Sequence, residues 1–282
     1  MSEPNQRKLN QLGILLPEGL LVDAEWLSTN HYSTSLRSKY VAAGWLEQPA
    51  RRVYQRPRGQ LGWQQVIISL QTLLERRLIV GGRTALELQG YAHYLSQSSP
   101  EIHLHGPARP PGWLYSLPLK ERFVYHNSAP LFGNDLSVVE FPPLVRNDEL
   151  PARDPALFQD AGLRSLPWGQ WNWPLTASTP ERAVLELLDE LPGHESFHQT
   201  DMLMEGLSNL APRRLQALLD RCQSVKVKRL FFFFADRHGH AWLKHIDRSK
   251  IGLGSGKRVL VKDGRLDFTY QITVPKDLDE VH

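Results

Sequence analysis

The sequence is poor in cysteine and methionine and has no long hydrophobic run. Its 282 residues include one cysteine, Cys222, and three methionines. A single cysteine cannot form an internal disulfide, which is typical of proteins in a reducing compartment. No apolar stretch approaches the roughly 18 residues that a membrane-spanning helix needs, and the first residues lack the hydrophobic core of a secretion signal. We therefore expect a cytoplasmic protein that does not bind membranes.

The glycine-rich stretch "IGLGSGKRVLVKDG" lacks both patterns that would make it a nucleotide site. A P-loop requires a glycine five residues before its Gly-Lys pair and a Ser or Thr after the lysine. Here those two places hold Ile251 and Arg258. A dinucleotide fingerprint requires a glycine where Lys257 stands. We interpret the stretch as a tight turn that displays positive charge.

The net charge of +3 conceals a strongly uneven distribution. Residues 221–265 contain twelve Lys or Arg against three Asp or Glu, and residues 1–60 contain eight against five. The residues between these two regions are acidic. Segregation of this kind indicates anionic partners more than it indicates a fold.

The first sixty residues have the order helix, helix, helix, basic hairpin, which predicts a winged helix-turn-helix. Ser33 is a suitable N-cap for the third helix, and Gly44 is a suitable residue to end it. We expect this helix to enter a DNA major groove and the hairpin to contact phosphates. The candidate DNA-binding residues are Ser33, Thr34, Ser35, Arg37, Ser38 and Lys39 on the helix and Arg51, Arg52 and Arg56 on the hairpin.

Residues 61–282 mix helical and strand patterns, so the predicted class is α+β with a winged helix-turn-helix followed by a larger mixed α/β domain. The segment from Trp63 to Gly81-Gly82 has the pattern of one amphipathic helix. The Pro- and Trp-rich residues 142–180 are predicted to be irregular and mark a possible sub-boundary.

Two further local signals lie in the second half of the chain. Ser178 and Glu181 have the spacing of a capping box for a helix. Asp263-Gly264 is a strong turn signal, which predicts that the last strands form a hairpin closing there.

The sequence contains few candidate catalytic residues. Gly81-Gly82 followed by Glu101-x-His103 is similar to the start of a nucleotidyltransferase site, but two carboxylates are needed and histidine is a poor magnesium ligand. The eleven histidines lack zinc-site spacing, and no Gly-x-Ser-x-Gly elbow exists. We expect no enzyme activity, metal or cofactor. A divergent magnesium-dependent nucleotidyltransferase that uses Glu101 stays as the alternative.

The basic winged helix, together with "GGRTALELQGY", "TPERAVLELLDEL", "VKVKRLFFFFADRHGHAW" and "LGSGKRVLVKDGRLDFTYQITVP", resembles the AbiEi family of bacterial antitoxins. The resemblance implies the antitoxin of a two-gene abortive-infection operon, a type IV toxin-antitoxin system for phage defence. The winged helix would repress its own promoter by binding DNA repeats. The remainder would oppose a toxin, a nucleotidyltransferase that modifies RNA.

The resemblance also directs attention to the C-terminal basic region as a surface for antitoxicity. Its candidate residues are Lys226, Lys228, Arg229, Lys244, Arg248, Lys250, Lys257, Arg258 and Lys262. Direct contact with the toxin and competition for RNA both stay open as uses of this surface. A plain winged-helix transcription factor with a ligand-sensing domain is a further alternative.

Overall fold

The structure is a computed structural model that describes residues 3–57, 59–91, 101–144 and 156–279. In these residues the helices are α1 (Glu3–Leu15), α2 (Ala24–Thr29), α3 (Thr34–Ala42), α4 (Trp63–Thr72), α5 (Gly82–Leu88), α6 (Ala129–Phe132), α7 (Ala156–Asp160), α8 (Pro180–Asp189), α9 (Phe197–Gly206), α10 (Pro212–Arg221) and α11 (Val225–His238). The strands are β1 (Leu21–Asp23), β2 (Glu47–Ala50), β3 (Val53–Gln55), β4 (Ile79–Val80), β5 (Glu101–Gly106), β6 (Arg122–Asn127), β7 (Leu163–Trp168), β8 (Trp173–Ser178), β9 (Arg265–Asp267) and β10 (Ile272–Val274). The predicted α+β class is confirmed.

The N-terminal unit folds in the order α1, β1, α2, α3, β2, β3, with its strands arranged β1–β3–β2. Asp23 caps α2, because its carboxylate accepts a hydrogen bond from the backbone N–H of Trp26 at 2.9 Å. Ser33 caps α3 by accepting from the N–H of Leu36 at 3.3 Å. Gly44 follows this helix with a φ of +73°, a conformation that favours glycine. This order is that of the predicted winged helix-turn-helix.

A five-stranded mixed sheet with the order β6–β5–β4–β8–β7 forms the centre of the remaining chain. β4 is antiparallel to β5 and parallel to β8. The prediction of one helix up to Gly81-Gly82 is wrong, since α4 ends at Thr72 and Ile79–Val80 form the central strand β4. A two-residue strand has no periodicity of its own, so the apolar pattern of α4 extends into it without a visible break.

Strands β7 and β8 form a hairpin inside the segment 142–180, which was predicted to be irregular. They pair along their whole length. Pro174 of β8 lies opposite Pro167 of β7, whereas β4 pairs with β8 only at Ala177. Pro174 therefore lies beyond the end of β4, where no strand on that side requires its missing N–H. Residues 145–155 of the predicted sub-boundary lie outside the described residues.

Helix α8 begins without the predicted capping box. Its N-cap is Thr179, which makes no side-chain capping bond. Ser178 Oγ instead donates to Glu186 Oε2 at 2.7 Å. The carboxylate of Glu181 accepts from the N–H of Ala211 at 2.7 Å. Both side chains tie elements of the fold together instead of closing the first turn of α8.

Helices α8 to α11 form a layer that contains much of the core. The four phenylalanines 231–234 lie in α11, and each is at most 7% exposed. The stretch is helical, and Gly239 ends the helix with a left-handed φ of +61°. A helix with apolar side chains on several faces must be covered on several sides, and the surrounding helices and C-terminal strands cover it.

The C-terminal hairpin turns at a different place from the one predicted. Asp267 of β9 lies opposite Ile272 of β10, so the turn spans 268–271. Arg258 forms a parallel bridge to Ile272 and lies along the other edge of β10. The Asp263-Gly264 signal does mark a chain reversal, but one that leads into β9 and does not join two paired strands.

The N-terminal unit and the central sheet share one hydrophobic core. Leu20 and Leu104 are both fully buried and belong to the same apolar cluster. In addition, the N–H of Leu21 donates to Ser69 Oγ of α4 at 3.0 Å. The domain boundary at residue 60 stays a prediction. Residues on both sides of it contribute to this core.

Candidate nucleic-acid interface

The exposed face of α3 carries small polar side chains and one lysine. Thr34, Ser35, Ser38 and Lys39 are exposed, as is the capping residue Ser33. The hydroxyl of Ser33 accepts the capping hydrogen bond at the start of the helix, and Ser38 Oγ donates to the carbonyl of Thr34 at 3.1 Å. This composition suits base-edge contacts, because short hydroxyl side chains accept and donate hydrogen bonds in a major groove.

Arg37 does not lie on that face. It is 7% exposed, its Nε donates to the carbonyl of Tyr32 at 2.8 Å and one terminal nitrogen donates to Ser28 Oγ at 2.8 Å. These bonds join α3 to the turn before it and to α2. The expectation that Arg37 reaches outward is wrong, and the residue instead fixes the angle between the two helices.

Arg51 and Arg52 form the tip of the hairpin between β2 and β3. Ala50 pairs with Val53, so only these two arginines make the turn. Arg52 has a φ of +64°, and its carbonyl accepts from the N–H of Ala24 at 2.8 Å. Both side chains are exposed, and neither makes a hydrogen bond or ion pair within the described part of the chain. The wing is short and presents two free guanidinium groups.

Arg56 holds the end of α1 and does not extend along the wing. One terminal nitrogen donates to the carbonyls of Gly13 and Leu16 at 3.2 and 3.1 Å. The other donates to Glu18 at 3.0 Å. The carbonyls at a helix C-terminus lack partners within the helix, and Arg56 supplies them. Its predicted orientation along the wing is therefore wrong.

In the C-terminal region, Arg229 is also buried. It is 3% exposed, and it donates to the carbonyls of Leu253 at 2.7 Å, Gly256 at 2.6 Å and Gln271 at 3.3 Å. Burial first, and then the nearby charge of Arg258, lower the pKa of the Arg229 guanidinium. Arg229 does not belong to the exposed surface that was expected to include it. It fastens the glycine-rich loop to α11 and β10.

The other C-terminal candidate cations fall into two groups, those that are paired or partly buried and those that are exposed. Lys226 donates to the carbonyls at the end of α8, including that of Leu191 at 3.1 Å. Arg248 forms an ion pair with Asp236 and lies 4.9 Å from the ring centre of Phe232. The remaining candidates differ in exposure: Lys250 is exposed but pairs with Asp247 at 3.3 Å, Lys228 is half-buried, and Lys244, Lys257, Arg258 and Lys262 are exposed.

Two exposed apolar side chains accompany the free cations, and sequence reasoning missed both. Val259 is 67% exposed and Phe268 is 80% exposed. Phe268 lies in the turn between β9 and β10, whereas the predicted hairpin placed it inside a strand. The signal was present in the sequence as an apolar residue next to Asp267, but only the true position of the turn reveals its exposure.

Two family models match the chain along almost its whole length. Residues 5–97 match a model described as "Transcriptional regulator, AbiEi antitoxin N-terminal domain", and residues 99–275 match one described as "Transcriptional regulator, AbiEi antitoxin, Type IV TA system". The chain belongs to the AbiEi antitoxin family. The resemblance seen in the sequence is thereby confirmed, and this AbiEi protein is a transcriptional regulator and antitoxin of a type IV toxin-antitoxin system.

A solved structure shares the fold of this AbiEi antitoxin. The crystal structure of RV2827C protein from Mycobacterium tuberculosis superposes with a TM-score of 0.55 at 16% sequence identity, covering 95% of this chain and 89% of that chain. At that identity the likeness concerns the fold alone. No curated protein matches the chain.

If this AbiEi antitoxin were a nucleotidyltransferase, its catalytic side chains would include Glu101 and its neighbours on β5. In the structure these side chains are paired with other residues. Glu101 forms an ion pair with Arg122. His103 Nδ1 lies 2.9 Å from His126 Nε2, and His126 Nδ1 lies 2.7 Å from Glu190 Oε1. Burial first, and then the neighbouring His126, lower the pKa of His103 to about 4, so its ring is neutral at pH 7. In the described ranges no group of three or more His, Cys, Asp or Glu is arranged to hold a metal ion.

The described helices of this AbiEi antitoxin are all too short or too polar to cross a lipid bilayer.

Proposed function

We propose that this AbiEi antitoxin represses its own operon by binding repeats in the promoter with its N-terminal unit, and that its C-terminal basic surface counteracts a nucleotidyltransferase toxin. The observation that carries the first half is the pairing of an exposed α3 face with a wing whose tip consists of two free arginines. The family to which the chain belongs supports both halves.

In the DNA complex, α3 enters the major groove. Thr34, Ser35 and Ser38 approach base edges, and Lys39 contacts the backbone. Arg51 and Arg52 neutralise phosphates beside the groove. Arg37 and Arg56 stay inside the protein and hold the reading helix and α1 in place.

The antitoxic surface consists of the exposed cations around the glycine-rich loop. Lys257, Arg258 and Lys262 have no partner among the described residues, so their charge is available to an acidic or phosphate-bearing partner. The buried Arg229 donates to two carbonyls of this loop, those of Leu253 and Gly256. A fixed loop loses little conformational entropy on binding.

Two double variants of the full-length protein test the separation of these roles. Each removes two exposed positive charges: Arg51→Ala with Arg52→Ala from the wing, and Lys257→Ala with Arg258→Ala from the loop. The readouts are binding to a duplex carrying the promoter repeats at several salt concentrations, and survival of cells that express the toxin from the adjacent gene.

We expect the wing variant to lose operator affinity, with the slope of log K against log salt falling by about 0.9 per lost phosphate contact, while it still protects cells. We expect the loop variant to bind the operator normally and to protect poorly. If the folded wing variant failed to protect, or the loop variant protected fully, the assignment of two separate surfaces would be refuted.

A further inference from the structure

The C-terminal ribbon, defined here as Lys257, Arg258, Val259, Lys262 and Phe268, combines free cations with exposed apolar side chains. Its two apolar members are the large hydrophobic side chains that stand exposed in the described residues 221–279. The side chains of its three cations make no hydrogen bond or ion pair with any described residue. Arg258 and Asp267, the neighbour of Phe268, both lie opposite Ile272 on the two edges of β10, so one strand separates this cation from the segment that carries the ring.

The backbone that carries the ribbon is fixed from several directions. The N–H of Arg258 donates to the carbonyl of Gln271 at 2.8 Å. Thr273 Oγ1 accepts from the N–H groups of Leu260 and Val261 at 2.9 Å each. With the three bonds from Arg229, these contacts hold the loop against β10. The ribbon is therefore preorganised before any partner arrives.

An aromatic ring that is 80% exposed, one strand away from an exposed arginine, has the composition of a platform for single-stranded nucleic acid. Proteins that bind single strands place aromatic rings under the bases and Lys or Arg along the phosphates. Phe268 offers a ring for stacking, and Lys257, Arg258 and Lys262 offer charges for the backbone. Each requirement is met by a different member of the ribbon.

Two other partners fit the ribbon less well. A protein interface requires a contiguous apolar centre, and two exposed apolar side chains among three cations do not provide one. Duplex DNA is read by a helix or a two-stranded β-ribbon that enters its major groove, but Lys257, Arg258 and Lys262 all precede the paired strands β9 and β10 and would not enter with them. The face of α3 has the opposite character, with short polar side chains on a helix.

We propose that the C-terminal ribbon binds an unpaired segment of RNA, with bases stacked on Phe268 and phosphates held by Lys257, Arg258 and Lys262. This inference rests on the proposed function, in which the toxin acts on RNA. The antitoxin then protects by covering the RNA and not by closing the toxin's own site.

The test uses the full-length protein and a fluorescein-labelled 15-nucleotide oligouridine, measured by anisotropy at several salt concentrations. A loss of stacking is worth about 1–3 kcal/mol per base, so we expect Phe268→Ala to weaken binding by roughly 5- to 150-fold. Phe268→Trp retains a stacking ring and should bind as well as the wild type. Lys257→Ala with Arg258→Ala should lower the salt slope by about 0.7 for each contact with a single strand. Arg76→Ala with Lys120→Ala, which removes two exposed charges outside both proposed surfaces, is the matched control and should leave oligouridine binding unchanged.

Three results would overturn the inference: equal affinity of the wild type and Phe268→Ala, preference for a duplex of the same length, or preference for single-stranded DNA over RNA. Capture of the purified toxin by the ribbon, without oligouridine binding, would replace it with a protein partner. If oligouridine binding is absent but the loop variant still fails to protect cells, only the RNA inference falls. If oligouridine binding is present and the loop variant protects, the RNA inference stands and the antitoxic role proposed for the surface falls.

Discussion

The two basic regions of this antitoxin use arginine in the same two ways but build different surfaces. In each region a buried arginine organises the backbone, Arg37 at α3 and Arg229 at the glycine-rich loop, and exposed cations lie beside it. The N-terminal region then presents a helix with short hydroxyl side chains, whereas the C-terminal region presents a loop with Val259 and Phe268. Charge density alone would not distinguish them, but the neighbours of each charge do. The first surface suits a duplex and the second an unpaired strand.

The largest effect should come from the buried arginine of the C-terminal region. Arg229→Met removes three hydrogen bonds to loop carbonyls, and at about 1 kcal/mol for each bond the free energy of unfolding should fall by about 3 kcal/mol. Urea denaturation measures this change. Arg258→Ala removes the exposed counterpart on the same loop and should change the free energy of unfolding by less than about 0.5 kcal/mol. Equal stability of both variants would show that Arg229 does not fasten the loop.

Mild acid should lower the free energy of unfolding through His103, which lies outside both basic surfaces. The pKa of His103 is about 4 in the folded chain and 6.5 in its unperturbed state, so the unfolded chain binds the extra proton between these values. Stability is therefore full above pH 6.5 and falls as the pH drops towards 4, with a loss of about 2 kcal/mol at pH 5. His103→Asn should flatten this part of the profile of unfolding free energy against pH. An unchanged slope in that variant would assign the acid sensitivity to other groups.

The buried arginine of the N-terminal region should matter somewhat less. Arg37→Met removes the bonds to Tyr32 and Ser28, which should lower the free energy of unfolding by about 1–2 kcal/mol. Arg51→Ala should leave stability unchanged and reduce operator binding. Thermal denaturation and operator titration of both variants check this. If Arg51→Ala destabilised the fold while Arg37→Met did not, the division into organising and contacting arginines would be reversed.

The smallest effect on stability should come from Phe268, the residue with the largest proposed effect on RNA binding. Phe268→Ser exposes no new core and should change the free energy of unfolding by less than about 0.5 kcal/mol. Chemical denaturation of this variant beside the wild type is the measurement. A loss above 1 kcal/mol would show that the ring supports the hairpin, and its exposure would then need another explanation.

The sequence predicted well those features that local signals control. The N-cap Ser33 and the terminator Gly44 both follow from backbone and side-chain preferences within a few residues. The sequence predicted poorly which arginines turn inward, because all but one of the partners of Arg37 and Arg229 are backbone carbonyls, which any residue could supply. It also missed the strand β4, whose two residues are defined only by their neighbours in the sheet.

The shared core beneath the winged unit has a consequence for how this protein can vary. Leu20 and Leu104 belong to one apolar cluster, so we expect a substitution at either residue to disturb the N-terminal unit and the central sheet together. The N-terminal unit and the central sheet can therefore diverge independently only at their surface side chains, whereas the elements beneath the C-terminal basic surface pack in a separate cluster.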